Sequence, residues 1–232
     1  MAAMIRLTGV AKTFTMHLQG GAHLPVMAGV HLHVEAGECV VLGGPSGIGK
    51  SSLLRMIYGN YRCDAGAILV RDGEDDVDVA SASPRRIMRL RRERLGYVSQ
   101  FLRVIPRVPA IDIVTEAATE RGASADEAKA RAADLLARLG VPRRLWALPP
   151  ATFSGGEQQR VNIARGLNAA HPILLLDEPT ASLDASNRTV VVELIEERKR
   201  AGTAILGVFH DDDVRERVAT RVVDVTAFAA AA

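Results

Sequence analysis

The chain of 232 residues carries a net charge of +2 and only two cysteines. That length suits one α/β domain with an inserted subdomain better than two independent domains, and so small a charge gives no basis for nucleic acid or an anionic membrane surface as a general partner. No window reaches the roughly 18 consecutive apolar residues of a membrane span, and Met1 to Arg6 lacks the basic segment and apolar core of a signal peptide, so a cytoplasmic protein without direct membrane insertion is expected.

The first third alternates strand-like runs with turns: Met4 to Leu7, Val30 to Val34, Cys39 to Leu42 and Ala67 to Val70. Cys39 lies inside an apolar run, which predicts a buried thiol rather than a disulfide or metal ligand. His31 and His33 share a strand face with no third metal ligand in evidence. The acidic run Asp72 to Asp76 reads as a hairpin turn around Gly73. From Ser83 the pattern turns helical, and Arg85, Arg86, Arg89, Arg91, Arg92 and Arg94 form a basic cluster expected to be a solvated helix face. A strand from Leu95 to Ser99 then ends at Gln100. The apolar Phe101, Leu102, Val104 and Ile105 follow directly, a run that is costly unless something covers it, and a soluble partner is the expected cover. Residues 111–139 are helical in period and stop at Gly140 and Pro142, and Pro142 to Pro150 forms a link in which Trp146 is expected to be core. A helix from Glu157, a strand from Ile173, a helix from Val190 to Arg200 and a strand from Ala204 to Phe209 complete the pattern. Strands alternating with helices predict a mostly parallel sheet whose functional loops sit at the strand C-termini.

Gly44-Pro45-Ser46-Gly47-Ile48-Gly49-Lys50-Ser51 fits the P-loop pattern, follows a strand and opens a helix at Ser52. Its glycines let backbone N–H groups converge on phosphate oxygens, Lys50 reaches the terminal phosphates, and the Ser51 hydroxyl can hold Mg²⁺. The run Ile173 to Leu176 has the continuity of a strand covered on both faces, and it stops at Asp177 and Glu178, one carboxylate to hold Mg²⁺ and one to polarise a water. Ser154-Gly155-Gly156-Glu157 reads two ways at once, as a helix capping box and as a helix start that offers its N–H groups to an anion. His210 ends a strand on the same sheet edge, where a phosphate contact competes with a plain surface histidine.

Together these motifs resemble the ABC ATPase family, over essentially the whole chain. Gly44 to Ser51 resembles Walker A, Gln100 the Q-loop glutamine that helps hold the metal, Phe153 to Glu157 the signature, Leu174 to Glu178 Walker B with its catalytic glutamate, Ser182-Leu183-Asp184 the D-loop, and His210 the switch histidine. Phe14 stands where the family has an aromatic that stacks on adenine. The resemblance implies a P-loop NTPase, RecA-like core with a mostly parallel sheet over residues 1–99 and 166–232, an N-terminal antiparallel β portion, and a helical subdomain over residues 100–165. It implies ATP and Mg²⁺, with Glu178 as base and Gln100 and His210 as positioning groups. It also implies a head-to-tail dimer in which Ser154, Gly155, Gly156 and Glu157 face the ATP of a second ABC chain, identical or paralogous.

The generic motifs are shared with transporter ATPases. The strings Ser99 to Arg107, Arg144-Leu145-Trp146 and Thr152 to Gly166, with Phe153 for the usual leucine and Glu157 for the usual glutamine, more closely resemble the ABC-type components of the bacterial phosphonate carbon–phosphorus lyase system. That resemblance implies a soluble assembly with other lyase subunits as partners.

Overall fold

Two burial patterns divide the strands between two sheets in the structure, a computed structural model that describes residues 3–16, 18, 20–100, 102 and 106–229. In Ile5–Met16 (β1) and Ala22–Val34 (β2) buried and exposed side chains alternate: Val30, Leu32 and Val34 are buried while His31 and His33 face outward, the pattern of a sheet wet on one face. Cys39–Gly43 (β3) is instead buried at every position through Leu42. Lys50–Ile57 (α1) follows it, and Ala65–Asp72 (β4) and Asp75–Asp78 (β5) form the expected hairpin. Pro84–Glu93 (α2), capped by the Ser83 side chain, leads into Leu95–Val98 (β6). The stretch that read as helical from 111 to 139 is two helices, Ala110–Thr119 (α3) and Ala125–Arg138 (α4), because Gly122 sits between them at φ 92°. Gly155–Asn168 (α5), Ile173–Asp177 (β7), Ala185–Arg200 (α6), Ala204–Val208 (β8), Asp212–Val218 (α7) and Arg221–Asp224 (β9) complete the chain order.

The antiparallel sheet runs β2-β1-β4-β5 and the parallel sheet β6-β7-β8-β3-β9. Each central parallel strand sends alternate side chains into two cores. Val40, Leu42, Ile173, Leu175 and Leu206 pack with α1 and the antiparallel sheet, whereas Cys39, Val41, Leu174, Leu176 and Ile205 pack with α3, α4, α5 and α6. Each such Leu or Ile, fully buried, contributes about 1.5–3 kcal/mol of transfer free energy. Cys39 is the buried thiol expected from the sequence, and burial pushes its pKa up to about 12. Helix α5 runs unbroken through Arg165 and Gly166, the expected edge of the helical subdomain. No helix among the described residues is long and apolar enough to cross a membrane.

The basic cluster on α2 is only in part the solvated face that its composition suggested: Arg85, Arg89 and Arg92 are exposed, and Arg86, Arg91 and Arg94 are half-buried. Arg86, Arg89 and Arg94 converge on Asp72 at 2.9, 2.6 and 2.8 Å, and the Asp72 side chain is 6% exposed. These contacts, the Arg94 hydrogen bond first, hold its carboxyl below the usual range. The hairpin acid thus acts as a clamp for α2. Arg91 is also engaged, donating to the Tyr58 carbonyl and to Asn60.

A candidate ATPase half-site

The sheet order brings the C-terminal ends of β6, β7, β8 and β3 side by side, so Gln100, Asp177 with Glu178, His210 and the loop 44–49 share one edge. The loop leaves β3 exposed from Gly44 through Gly47 and re-enters helix at Lys50, with Ile48 tucked against the first core and Ser51 and Ser52 in the first turn of α1. Gly49 caps that helix at φ 105°, and a Cβ there would lie 2.4 Å from Val26 Cγ1, so both conformation and space demand glycine. Lys50 Nζ donates to the carbonyls of Gly44 at 2.7 Å and Pro45 at 2.9 Å. Burial lowers its pKa, and the Glu178 charge opposes that shift.

Asp177 is 3% exposed and has both oxygens engaged: Ser51 Oγ donates to Oδ1 at 2.7 Å and Tyr97 Oη to Oδ2 at 2.7 Å. Burial, followed by the Asp177 contact, raises the Tyr97 phenol above its ordinary value, which keeps it a donor. Next to it, Gln100 Nε2 donates to Glu178 Oε2 at 3.1 Å, and His210 Nε2 lies 2.7 Å from Glu178 Oε1. Glu178 has φ 52°, a left-handed backbone that costs a non-glycine residue about 1–2 kcal/mol. Its own N–H donates to the Val208 carbonyl at 3.0 Å, which ties that conformation to β8. Ser51 Oγ and Asp177 Oδ1 offer adjacent hard oxygens beside the P-loop, a donor set that fits Mg²⁺ with few protein ligands. Gln100, expected to help hold the metal, has its amide nitrogen on Glu178, which leaves its Oε1 as the atom that could ligate.

The signature does not join this cluster. Ser154 caps α5 by accepting from Glu157 N at 3.3 Å, while Glu157 Oε2 accepts from Ser154 N at 2.9 Å. The capping box is therefore real, and Ser154 and Gly155 remain exposed. A Cβ on Gly156 would stand 3.0 Å from the Ser182 carbonyl, so the signature abuts the D-loop. There Leu183 is buried, and Asp184 caps α6 through Asn187 N at 2.8 Å. Phe14 is half-buried on β1, its ring edge-on to Tyr61 with centroids 5.4 Å apart and Lys12 Nζ 5.2 Å from its centre. Phe101, Val104 and Ile105 lie outside the described residues; Leu102 is buried in the chain's own second core, so it needs no partner as cover.

Three positioning residues escaped the sequence reading. Tyr97 is one. Gln159 and Asn162, buried one turn apart on α5, are the others: they donate to the Pro179 carbonyl at 3.0 Å and the Ser99 carbonyl at 2.7 Å. They tie the signature helix to the segments carrying Glu178 and Gln100. Their signal was two amides on the face of α5 that should be apolar.

A profile described as ABC transporter matches residues 27–181. This chain belongs to the ABC transporter ATPase family. It is 36% identical over 207 residues to the lipoprotein-releasing system ATP-binding protein LolD of Alcanivorax borkumensis, covering 89% of each. It is 35% identical to the macrolide export ATP-binding/permease protein MacB of Sodalis glossinidius, covering 96% of this chain but only 33% of that longer protein. Among solved structures, the ATP-binding cassette MJ0796, in a dimeric post-hydrolysis state bound to ADP and Pi, superposes with TM-score 0.84 at 30% identity, over 96% of this chain and 94% of its own. As an ABC cassette the chain has the P-loop fold expected of it, with one parallel and one antiparallel sheet.

Proposed function

We propose that this ABC cassette binds ATP with Mg²⁺ on its P-loop and hydrolyses it in a head-to-tail dimer, each ATP closed over by the signature of a second ABC chain. One observation carries the reading: Gln100 and His210 both hold the Glu178 carboxylate, one residue from the Asp177–Ser51 pair. Mg²⁺ held by Ser51 and Asp177 would supply charge neutralisation at the phosphates. Lys50 binds the terminal phosphates, and Gln100 and His210 fix the direction of Glu178. Glu178 takes a proton from water as the water oxygen bonds to the γ-phosphorus and the bond to the bridging oxygen breaks, leaving ADP and phosphate. Ser154 and the first N–H groups of α5 face the partner's γ-phosphate. The test is Glu178→Gln, expected to keep ATP binding and to cut turnover by about 10²-fold or more. Hydrolysis at the unaltered rate would remove Glu178 from the mechanism.

For the assembly it serves, we infer a cytoplasmic subunit of the phosphonate carbon–phosphorus lyase system, similar to PhnL. It would be needed to form ribose 1-methylphosphonate 5-triphosphate from methylphosphonate and a purine nucleotide, and would pair with itself or with a paralogue such as PhnK. The strings at 99–107, 144–146 and 152–166 support this reading. The names of the relatives support a second one, the ATP-binding subunit of a membrane transporter of the lipoprotein-release or efflux type, and on those names alone it would lead. Recovery of the tagged protein from its native cells separates them. Lyase subunits uphold the first, and a permease in equal amount overturns it.

A further inference from the structure

The first turn of α6 carries a cation, Arg188, at the end of the helix where the macrodipole disfavours one. The contacts of its side chain account for the position. Arg188 Nε donates to the Leu183 carbonyl in the D-loop at 3.1 Å, and Nη1 donates to the carboxylate of Asp211, the residue directly after His210. One guanidinium thus holds the D-loop and the turn that carries the histidine.

Other ion pairs on these helices are of a different kind. Lys199 with Glu196, Arg215 with Asp212 and Arg217 with Asp213 join residues three or four apart within one helix, and Arg138 with Glu197 braces the far end of α6 against α4. Such exposed pairs contribute little. Arg188 and Asp211 instead link the N-terminal ends of α6 and α7 across 23 positions, and both ends adjoin the half-site. On one side Leu183 is buried, and the Ser182 carbonyl before it stands 3.0 Å from the would-be Cβ of Gly156 in the signature. On the other side Asp211 Oδ1 caps α7 by accepting from Val214 N at 3.1 Å, which leaves Oδ2 to Arg188. The Val214 bond first, and then the Arg188 charge, hold the Asp211 carboxyl below its usual range, so the pair is charged at neutral pH. The His210 side chain is 49% exposed, too open for packing to set its direction, yet its Nε2 lies 2.7 Å from Glu178 Oε1. Its backbone must be held from elsewhere.

We propose that Arg188 is a positioning residue for hydrolysis: it ties the His210–Asp211 turn to the D-loop, so that His210 keeps the Glu178 carboxylate in line only while the D-loop is seated beside the signature. This role rests on Glu178 being the base proposed above. It adds to that reading a route, through one side chain, from the face offered to the second ABC chain back to the base.

The test is steady-state hydrolysis by the tagged full chain purified with its native partners, with ATP varied. Arg188→Gln is expected to lower kcat about 10-fold or more with KM for ATP unchanged, the pattern of lost alignment rather than lost binding. Asp211→Asn keeps the cap of α7, since asparagine caps as well as aspartate, but removes the charge facing Arg188, and the same loss is expected. Added to His210→Ala, Arg188→Gln should cost less than about 2-fold further, because Arg188 acts through His210. Arg215→Gln, which breaks a pair within α7, serves as the control and should hydrolyse as the unaltered chain does; thermal melting confirms that each variant is folded. Unchanged kcat in Arg188→Gln or in Asp211→Asn, a rise in KM alone, or a full multiplicative loss in the double variant overturns the proposal. Glu178→Gln in the same assay keeps the two ideas apart. If it removes turnover while Arg188→Gln does not lower it, only the role of Arg188 falls; if it hydrolyses at the unaltered rate, the base and the residue that orients it fall together.

Discussion

Helices α4 and α5 begin with the same device, Ser124-Ala125-Asp126-Glu127 and Ser154-Gly155-Gly156-Glu157, and differ only in what stands between the two capping residues. In both, the glutamate N–H donates to the serine Oγ at 3.3 Å and the serine Oγ donates back to a glutamate oxygen at 2.8 Å. Capping thus needs nothing from the middle pair. Glycine there costs a helix about 0.8–1 kcal/mol per position relative to alanine, and neither Gly155 nor Gly156 has the positive φ that would require it. Gly156 has an internal reason, the Ser182 carbonyl 3.0 Å from its would-be Cβ, but nothing lies within 4 Å at Gly155. A glycine that the chain's own packing does not require points to something from outside, in keeping with a partner's nucleotide at α5 and none at α4.

Three experiments can break or sharpen that contrast, and the largest effect is expected in hydrolysis. Ser154→Ala should lower ATP turnover about 10-fold or more, the scale of losing one donor to developing charge, while Ser124→Ala leaves it unchanged. Equal rates in the two variants, measured by phosphate release, would reduce α5 to an ordinary capped helix. Both substitutions should cost about 1 kcal/mol in thermal unfolding, since the cap is the same. Gly155→Ala separates the two properties further: the fold should gain about 0.5–1 kcal/mol while turnover drops several-fold, so a variant both more stable and fully active would show that Gly155 has no outside neighbour.

The smallest effect is in pH. Hydrogen bonds from their serines hold the Glu127 and Glu157 carboxyls below the usual range. A carboxyl that ionises more readily when folded stabilises above its unfolded titration range, and the contribution is lost as pH falls through its folded value. The Tm difference between the unaltered chain and either serine variant should therefore shrink below about pH 4. A difference that grew on acidification would contradict the capping geometry at both sites.

The half-site was readable where its chemistry is local. Phosphate binding needs glycines at fixed spacing, and a strand covered on both faces needs an unbroken apolar run, so Gly44 to Ser51 and Ile173 to Glu178 declared themselves. Contacts between distant segments left no such trace. Nothing around Tyr97 announces Asp177, 80 positions later, and the arginines of α2 looked like surface until the β4–β5 hairpin placed Asp72 among them. Strand β9 was missed because, on the sheet edge, it is only half-buried at alternate positions. Helix α7 was missed because seven residues give the helical period too little length to show.

The left-handed backbone at Glu178 sets a trap for anyone who selects this protein for robustness alone. Glycine adopts φ 52° freely, so a screen that rewards heat resistance would favour Glu178→Gly and enrich a sturdier chain without the base proposed above. With Glu178 as the proposed base, thermal tolerance and turnover pull in opposite directions at that one codon.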